Sequence, residues 1–226
     1  MSETIITVRG HHEAWFPAER ATVRLTIGFE GSRREPVFQR ATDAAAAVTA
    51  GIRALHDPQA GPVTWWSADS IRVWSHRPWN QDGKQLPPVF HSALAATAKF
   101  RDFDALARWI EQTAELGGVT IDGVGWALTE AKRTAVTAEV RSRAVRDASD
   151  KARVFAQSIG LGEITPIALA DPGMLGDPGG PGASGGAGDG SMSRMMKAGG
   201  GAGGTLAFAP EDISISASVD ARFVAR

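Results

Sequence analysis

His11, His12 and Glu13 form the one cluster in the sequence whose residue types are those of metal ligands. Imidazole and carboxylate groups bind Zn²⁺ and related ions when they converge on one point. Neighbouring residues of a β-strand point to opposite faces, so two adjacent imidazoles in a strand would converge poorly. A polar turn before residues 15–17 is the alternative interpretation. His11 and His12 are therefore weak candidates for a metal site, and the sequence predicts no cofactor.

Four of the seven tryptophans lie in and around one predicted hairpin, and they are Trp65, Trp66, Trp74 and Trp79. Aromatic side chains in such a position can pack in or beside the core, line a ligand groove or anchor a subunit interface. No convergent set of polar residues accompanies them, so an interface is favoured over a small-molecule pocket. His76 and His91 are expected to face each other across this hairpin, which ordinary cross-strand packing explains equally well.

Two glycine-containing segments match catalytic motifs by their letters alone. Residues 180–185 fit G-x-G-x-x-G, and residues 182–186 fit G-x-S-x-G with Ser184 at the nucleophile position. Both motifs act only between a strand and a helix, and neither match has that setting. The chain has no cysteine, which excludes thiol nucleophiles, disulfides and cysteine zinc sites. We therefore expect a protein that is not an enzyme, with a hydrolase that uses Ser184 as a third alternative.

Alternation of apolar and polar residues predicts most of the sheet. It is clearest over residues 20–30 and 213–223, where apolar residues occupy every odd position. Each segment is then a strand with one face towards water, as is usual in antiparallel sheets. Shorter strands are predicted at residues 5–9, 70–76, 89–100, 119–128 and 164–170. In the strand over residues 119–128 the apolar phase shifts at Asp122-Gly123, which indicates a β-bulge.

Three helices are predicted between these strands. The first begins near Pro36 and ends near Leu55, the second follows Asp102 as its N-cap, and the third runs from Glu130 to Ile159 after Thr129. Alanines recur every four positions in the third helix, at Ala144, Ala148, Ala152 and Ala156. This ridge permits close packing within the chain or, alternatively, forms a face for self-association. The fold class is α+β, a mainly antiparallel sheet packed with three helices, in the order ββαββαβαβ-(Gly-rich loop)-β.

Residues 172–204 contain 14 glycines in 33 positions. Such a low-complexity segment buries too little apolar surface to order itself. We interpret it as a flexible loop inserted before the last strand, because the entropic cost of a loop grows only slowly with its length. Residues 1–226 are then interpreted as a single domain.

The charge pattern argues against a nucleic-acid partner. The 24 basic side chains are balanced by 25 acidic ones, and the two are interleaved, whereas binding to phosphate backbones requires clustered positive charge. No apolar run approaches the roughly 18 residues of a membrane-spanning helix, so no membrane span is expected. Residues 1–10 lack the pattern of a secretion leader. We therefore expect a cytoplasmic location, or a periplasmic or exported one if a leader has been removed.

The order of elements and several local patterns resemble the SIMPL-domain family, a domain of unknown function that includes periplasmic immunogenic proteins of pathogenic bacteria. Residues 6–10 and 17–23 look like its opening hairpin, and residues 144–162 look like its alanine-stepped helix with a terminal glycine pair. Residues 122–126 also fit. The chain differs in the absence of a leader and in His11-His12, where relatives often have small residues. The resemblance implies a bacterial sheet-and-helix domain that assembles into rings or larger oligomers, with no settled activity.

The expected function is that of a non-enzymatic oligomeric scaffold or interaction protein of the SIMPL-domain type. Its partners are expected to be further copies of itself and an unidentified protein. The alternative is a small-molecule or metal-binding module that uses the Trp-rich hairpin or His11 and His12.

Overall fold

The structure is a computed structural model, and it describes residues 3–79, 85–176 and 209–226. Three helices and two antiparallel sheets occupy these residues, which confirms the predicted α+β class. None of the described helices is both long and apolar enough to cross a membrane. In chain order the elements are β1 (Thr4–Phe16), β2 (Arg20–Gly31), α1 (Arg34–Leu55), β3 (Val63–Ala68), β4 (Arg72–His76), β5 (Val89–Phe100), α2 (Phe103–Ala114), β6 (Val119–Ala127), α3 (Glu130–Ser158), β7 (Ile164–Ala170) and β8 (Ile213–Ala225).

One compact unit, called here the five-stranded unit, contains the elements from β2 to β6. Its strands lie in the order β3-β5-β2-β6, and β4 also pairs with β5. The odd-numbered side chains of β2 form the centre of the core, and Ala21, Val23, Leu25 and Ile27 are at most 1% exposed. Because strand side chains alternate, the even-numbered residues of β2 lie on the opposite face of the sheet.

Both α1 and α2 pack on the core face of this sheet. Val48 and Ile52 of α1 join Leu106 and Trp109 of α2 in one buried cluster with the inward side chains of β2 and β5. The helix α2 begins at the predicted N-cap, where the carboxylate of Asp102 accepts a hydrogen bond from the N–H of Ala105 at 2.9 Å. The other face of the sheet is covered by neither helix.

The second compact unit, called the three-stranded unit, contains β1, α3, β7 and β8. The strand order β1-β8-β7 places the last strand in the middle. All 13 residues of β1 pair with β8 in antiparallel register, from Thr4 opposite Ala225 to Phe16 opposite Ile213. The helix α3 packs across this sheet, and it comes closest at Gly10, where no side chain separates the strand from the helix backbone.

Both ends of α3 lie close to their predicted positions. The hydroxyl of Thr129 accepts a hydrogen bond from the N–H of Lys132 at 3.3 Å, as an N-cap does. At the other end Gly160 has a φ of 77°, and the N–H of Leu161 donates to the carbonyl of Ala156. This is the predicted glycine stop with its hydrophobic follower.

The structure differs from the sequence predictions in one added strand and in the length of another. It adds a strand, β3, which the sequence analysis missed because the adjacent Trp65 and Trp66 obscure the alternation of a short edge segment. In addition β1 continues to Phe16, so His11 and His12 lie within a strand and not in a polar turn. The predicted β-bulge is confirmed, since the pairing of β2 with β6 shifts register between Arg24 and Leu25.

The glycine-rich segment predicted over residues 172–204 lies outside the described residues from position 177 onward. The strands on either side of it, β7 and β8, are antiparallel neighbours in one sheet. The segment therefore connects two adjacent strands, as the sequence predicts for an insertion before the last strand. The interpretation of residues 1–226 as a single domain stays a prediction.

Candidate functional site

The face of the five-stranded sheet that points away from α1 and α2 carries two of the candidate tryptophans and the two histidines expected to face each other. It consists of the even-numbered residues of β2, the odd-numbered residues of β5, and the side chains of β3, β4 and β6 that share their side, and we call it the open sheet face. Its register places Glu30 opposite His91 and Arg24 opposite Thr97. Gly28, Ala93 and Ala95 lie between these pairs. Because their side chains are small, the centre of the face is a shallow depression bordered by larger side chains.

Two of the predicted tryptophans border this face. Trp65 and Trp74 are each 46% exposed. The ammonium of Lys99 lies 5.1 Å from the ring centroid of Trp65, and the guanidinium of Arg72 lies 5.8 Å from that of Trp74. Such cation–π contacts hold both indole rings against the sheet. The face therefore presents two large aromatic groups, each beside a cationic side chain.

The other two predicted tryptophans have different surroundings. Trp66 is half-buried and packs against the core, with the guanidinium of Arg53 at 5.6 Å from its ring centroid. Trp79 follows β4 and is 83% exposed. The four tryptophans of the hairpin are thus divided between core packing and the surface. Trp65 and Trp74 both lie on the open sheet face, but at different ends of β5, opposite Lys99 and His91.

A shallow cleft of about 320 Å³ lies on the open sheet face, lined by Thr26, Asp69, Ser70, Arg72, Ala93, Leu94 and Ala95. Its charged groups are Asp69 and Arg72, and its floor is made of small side chains. Beside it, the hydroxyl of Thr26 donates a hydrogen bond of 2.8 Å to the carboxylate of Asp122. The cleft can hold a small polar group, and no set of side chains converges there as acid, base and nucleophile among the described residues.

His76 and His91 meet on the same face, as the sequence predicts. The ring nitrogens Nε2 of His91 and Nδ1 of His76 lie 2.9 Å apart, within hydrogen-bonding distance. The ring of Trp74 stacks on that of His91, with centroids 5.5 Å apart and planes at 19°. On the far side of His91, its Nδ1 lies 3.8 Å from a carboxylate oxygen of Glu30. Residues of β2, β4 and β5 therefore fix this imidazole pair.

The weak metal candidates His11 and His12 do not converge. His11 is exposed on the outer side of β1, where its Nδ1 lies 3.0 Å from the hydroxyl of Ser218. His12 points to the other side of the strand, and its buried Nε2 has no hydrogen-bond partner among the described residues. Opposite faces separate the two rings, as strand geometry requires. Across the described parts of the chain, no group of three His, Asp or Glu side chains forms a metal centre.

The alanine ridge of α3 lies inside the three-stranded unit. Ala144, Ala148, Ala152 and Ala156 are all 0% exposed and pack against β1 and β8. Close packing within the chain is therefore the role that the structure gives them. They offer no accessible surface for self-association in this structure, because the sheet of the same unit covers them.

The same helix covers the outer edge of β1. The ammonium of Lys151 donates to the carbonyl of Arg9 at 3.0 Å, and the carboxylate of Asp147 accepts from the backbone N–H of His11 at 2.8 Å. The hydrogen bond from Lys151 and that from the His11 N–H lower the pKa of Asp147 below its ordinary range. Two backbone groups that the sheet leaves unpaired are thus satisfied by side chains of α3.

A charged pair that the sequence analysis missed joins the first and last strands. The guanidinium of Arg9 donates two hydrogen bonds to the carboxylate of Asp220, at 2.6 and 3.0 Å. The N–H of Gly173 donates a third, at 2.7 Å. These bonds, with that from Arg9 the largest cause, lower the pKa of Asp220. The only signal in the sequence was a charged residue on the polar face of each strand, 211 positions apart.

A second cleft, of about 270 Å³, lies between α3 and the sheet of the three-stranded unit. It is lined by Arg141, Val145, Leu169, Ala170, Asp171, Ser218 and Val219. The matches to G-x-G-x-x-G and G-x-S-x-G, including Ser184, lie outside the described residues. Its charged lining residues are Arg141 of α3 and Asp171, which directly follows β7. None of its lining residues is aromatic, unlike those of the open sheet face.

The family described as SIMPL, protein of unknown function (DUF541), matches residues 6–223. The chain belongs to the SIMPL family. The match covers nearly the whole sequence and confirms the resemblance seen in the opening hairpin and the alanine-stepped helix. No curated protein matches the sequence.

Solved structures resemble this SIMPL chain only distantly. The crystal structure of AtUAH in complex with glyoxylate is 15% identical, with 59% of this chain and 34% of that chain covered and a TM-score of 0.32. An X-ray structure of a Burkholderia cenocepacia protein provisionally assigned as an amidohydrolase or peptidase is 15% identical, with coverages of 62% and 34% and a TM-score of 0.27. The chain thus spans about a third of those chains, and likenesses this low carry no argument about function.

The residues that suggested the SIMPL family have structural roles in packing, in helix termination and in a β-bulge. The alanines form the buried face of α3, Gly160 follows the end of the helix, and Asp122-Gly123 forms the bulge of β6. His11 and His12 lie on opposite sides of an edge strand. The family motifs therefore help to build both sheets, and most of the open sheet face, including Trp65, Trp74, His76 and His91, lies outside those segments.

Proposed function

We propose that this SIMPL chain is a non-enzymatic interaction protein that self-associates through the open sheet face. The observation that carries the proposal is the position of Trp65 and Trp74, each 46% exposed on a sheet face that neither α1 nor α2 covers. Tryptophan is among the residues that contribute most to binding at protein interfaces. Each indole contacts a cationic side chain, which favours its present rotamer and so reduces the side-chain entropy lost when a partner covers it.

The charges of the face suit a second copy of the same chain. Arg24 and Arg72 lie on it together with Glu30 and Asp122. In a two-fold symmetric dimer one patch contacts itself, so residue i meets residue j and residue j meets residue i. A patch with both signs of charge can then match its own copy, whereas a patch of one sign would repel it.

The size of the face is also suitable. Its strand order contains four strands in one path, and β2 and β5 have 12 residues each. At about 4.8 Å between strands and about 3.3 Å per residue, such a face measures at most about 760 Å². A standard protein interface buries about 800 Å² on each partner. Self-association through most of this face would therefore give an interface of ordinary size.

Light scattering coupled to size-exclusion chromatography tests the proposal. The wild type is expected to increase in mass with protein concentration in the micromolar range. Replacing Trp65 and Trp74 together by serine should shift this equilibrium towards the monomer. Trp15→Ser is the matched control, since Trp15 is 60% exposed but lies on β1 in the other unit. A wild type that is strictly monomeric throughout the range would contradict the proposal, and so would an equal effect of the control.

The alternative function, a metal-binding module at the Trp-rich hairpin, is favoured by one specific observation. This is the contact between His76 and His91, which places two imidazole nitrogens 2.9 Å apart.

A further inference from the structure

The imidazoles of His76 and His91 form a pair of nitrogen donors with a defined separation. They come from β4 and β5, which pair in antiparallel register with Trp74 opposite His91 and His76 opposite Val89. The two histidines are thus diagonal neighbours on one face, a separation that long and aromatic side chains can bridge. Their nearest nitrogens are 2.9 Å apart and their ring centroids 4.8 Å apart.

We propose that His76 and His91 bind a divalent first-row transition ion, with Cu²⁺ preferred. Nitrogen ligands lie about 2.05 Å from such an ion, so nitrogens 2.9 Å apart subtend an angle of about 90° at the metal. This is the angle between neighbouring positions of a square-planar or tetragonal site, the geometry that Cu²⁺ and Ni²⁺ adopt with nitrogen ligands. A tetrahedral Zn²⁺ site would require the nitrogens to be about 3.3 Å apart.

The charge of Glu30 suits the tautomer that the metal needs. Its carboxylate lies 3.8 Å from Nδ1 of His91, beyond hydrogen-bonding distance, and its negative charge favours a proton on that nitrogen. The lone pair of His91 is then on Nε2, which points to His76. A carboxylate behind a ligating histidine is a common arrangement at metal sites, where it fixes the ring and increases the basicity of the ligand.

Metal binding replaces one hydrogen bond. With His91 Nε2 as the acceptor, the proton between the two rings belongs to Nδ1 of His76 in the metal-free pair. When the ion binds, that proton leaves Nδ1 and the neutral ring carries it on Nε2 instead, so both facing nitrogens donate lone pairs. Two neutral imidazoles bind the ion without a net release of protons from the pair.

The two histidine rings are held in place, whereas the remaining coordination positions of the ion are free for water. Stacking on Trp74 restricts rotation of the His91 ring, and both histidines are fixed to hydrogen-bonded strands. No third His, Asp or Glu among the described residues joins the pair. Water therefore completes the coordination, and the ion is expected to bind with micromolar affinity and to exchange readily.

Titration of the full chain with CuCl₂, followed by calorimetry and electron paramagnetic resonance, tests the proposal. One Cu²⁺ per chain is expected, with a spectrum of a tetragonal site that has two equatorial imidazole nitrogens. His76→Ala and His91→Ala should each weaken binding at least tenfold. Glu30→Gln should weaken it by a smaller factor while both ligands remain, because the Glu30 carboxylate acts on His91 through its charge and not through a hydrogen bond. Affinity should fall in the order Cu²⁺, Ni²⁺, Zn²⁺. His11→Ala is the control, because His11 is an exposed strand histidine of the other unit.

The result that overturns the proposal is binding that is unchanged in His76→Ala and His91→Ala, or a wild type that binds no Cu²⁺ at micromolar concentration. A spectrum with one imidazole nitrogen would also overturn it, since a single histidine would then bind the ion. His76 and Glu30 are exposed, so their variants should keep the wild-type circular dichroism spectrum. Both histidines lie on the open sheet face, so the titration uses a protein concentration at which light scattering shows the monomer. Self-association then cannot cover the site, and a failure of the site stays distinct from a failure of self-association.

Discussion

Replacement of Gly10 by alanine should destabilise the three-stranded unit. An alanine Cβ at this position would lie 2.7 Å from the backbone nitrogen of Ala148 and 2.8 Å from its Cβ, and it would overlap the carbonyl oxygen of Ala144. All of these atoms belong to or are carried by the backbone of α3, so no flexible side chain can turn away. The strand and the helix must therefore move apart by about 1 Å to restore ordinary contact distances.

The magnitude follows from the packing that this movement disturbs. A gap of 0.5–1 Å removes about a quarter to a half of the dispersion energy of each contact that it opens. The contacts affected include those of Ala144 and Ala148, which are fully buried under β1 and β8. Overpacking of a core usually costs about 1–3 kcal/mol, and we expect the upper end of that range. Alanine also restricts the unfolded chain, which offsets the loss by about 0.4–1 kcal/mol.

Urea unfolding followed by circular dichroism at the helical band measures the free energy of unfolding. The expected net loss in Gly10→Ala is about 2 kcal/mol. Gly162→Ala is the matched control, because a Cβ there meets no atom within 4 Å. That control should be neutral or slightly stabilised. A Gly10→Ala protein within about 0.5 kcal/mol of the wild type, the range of an ordinary surface change, would refute the close approach of β1 and α3.

Two further predictions concern charged side chains. The pKa of Asp220 is lowered below its ordinary value of 3.8, chiefly by hydrogen bonds from Arg9. The stabilisation from this carboxylate is therefore complete at neutral pH, begins to decrease as the pH approaches about 4, and is lost as the pH falls through the lowered folded-state pKa. Asp220→Asn should therefore lose less stability than the wild type between neutral and acidic pH in urea titrations, and an equal loss would contradict the assignment. Asp102→Ala should cost about 1 kcal/mol, because the N–H of Ala105 loses its cap, and an unchanged urea midpoint would show that the cap contributes nothing.

Periodicity alone gives much of this fold. The alternation in β2 and β8 and the alanine spacing of α3 each report which side of an element is buried, because one residue type repeats at the period of the backbone. The caps at Asp102 and Thr129 and the glycine stop after α3 are also local, since each depends on residues within a few positions. These features could be predicted from the sequence for that reason.

Features that depend on pairing between distant strands could not be predicted in the same way. The contact of Arg9 with Asp220 needs the register of β1 with β8, which no local pattern supplies. The strand β3 is short, and its two adjacent tryptophans face opposite sides of the sheet, so its alternation is hidden. The position of Glu30 behind His91 likewise depends on the pairing of β2 with β5. Thus the candidate residues were visible in the sequence, but the arrangement that joins them was not.

The contacts from Lys151 and Asp147 to β1 have a consequence for how copies of this chain can grow into assemblies. An edge strand with free backbone groups is a template for further strands and so for fibres. Here side chains of α3 bond two of those groups, the carbonyl of Arg9 and the N–H of His11, on one edge of the three-stranded sheet. On the other edge β7 carries Pro166 and an irregular register, both of which interrupt regular strand addition. Strand-to-strand addition at this sheet is therefore hindered on both edges, which disfavours fibres built from this unit.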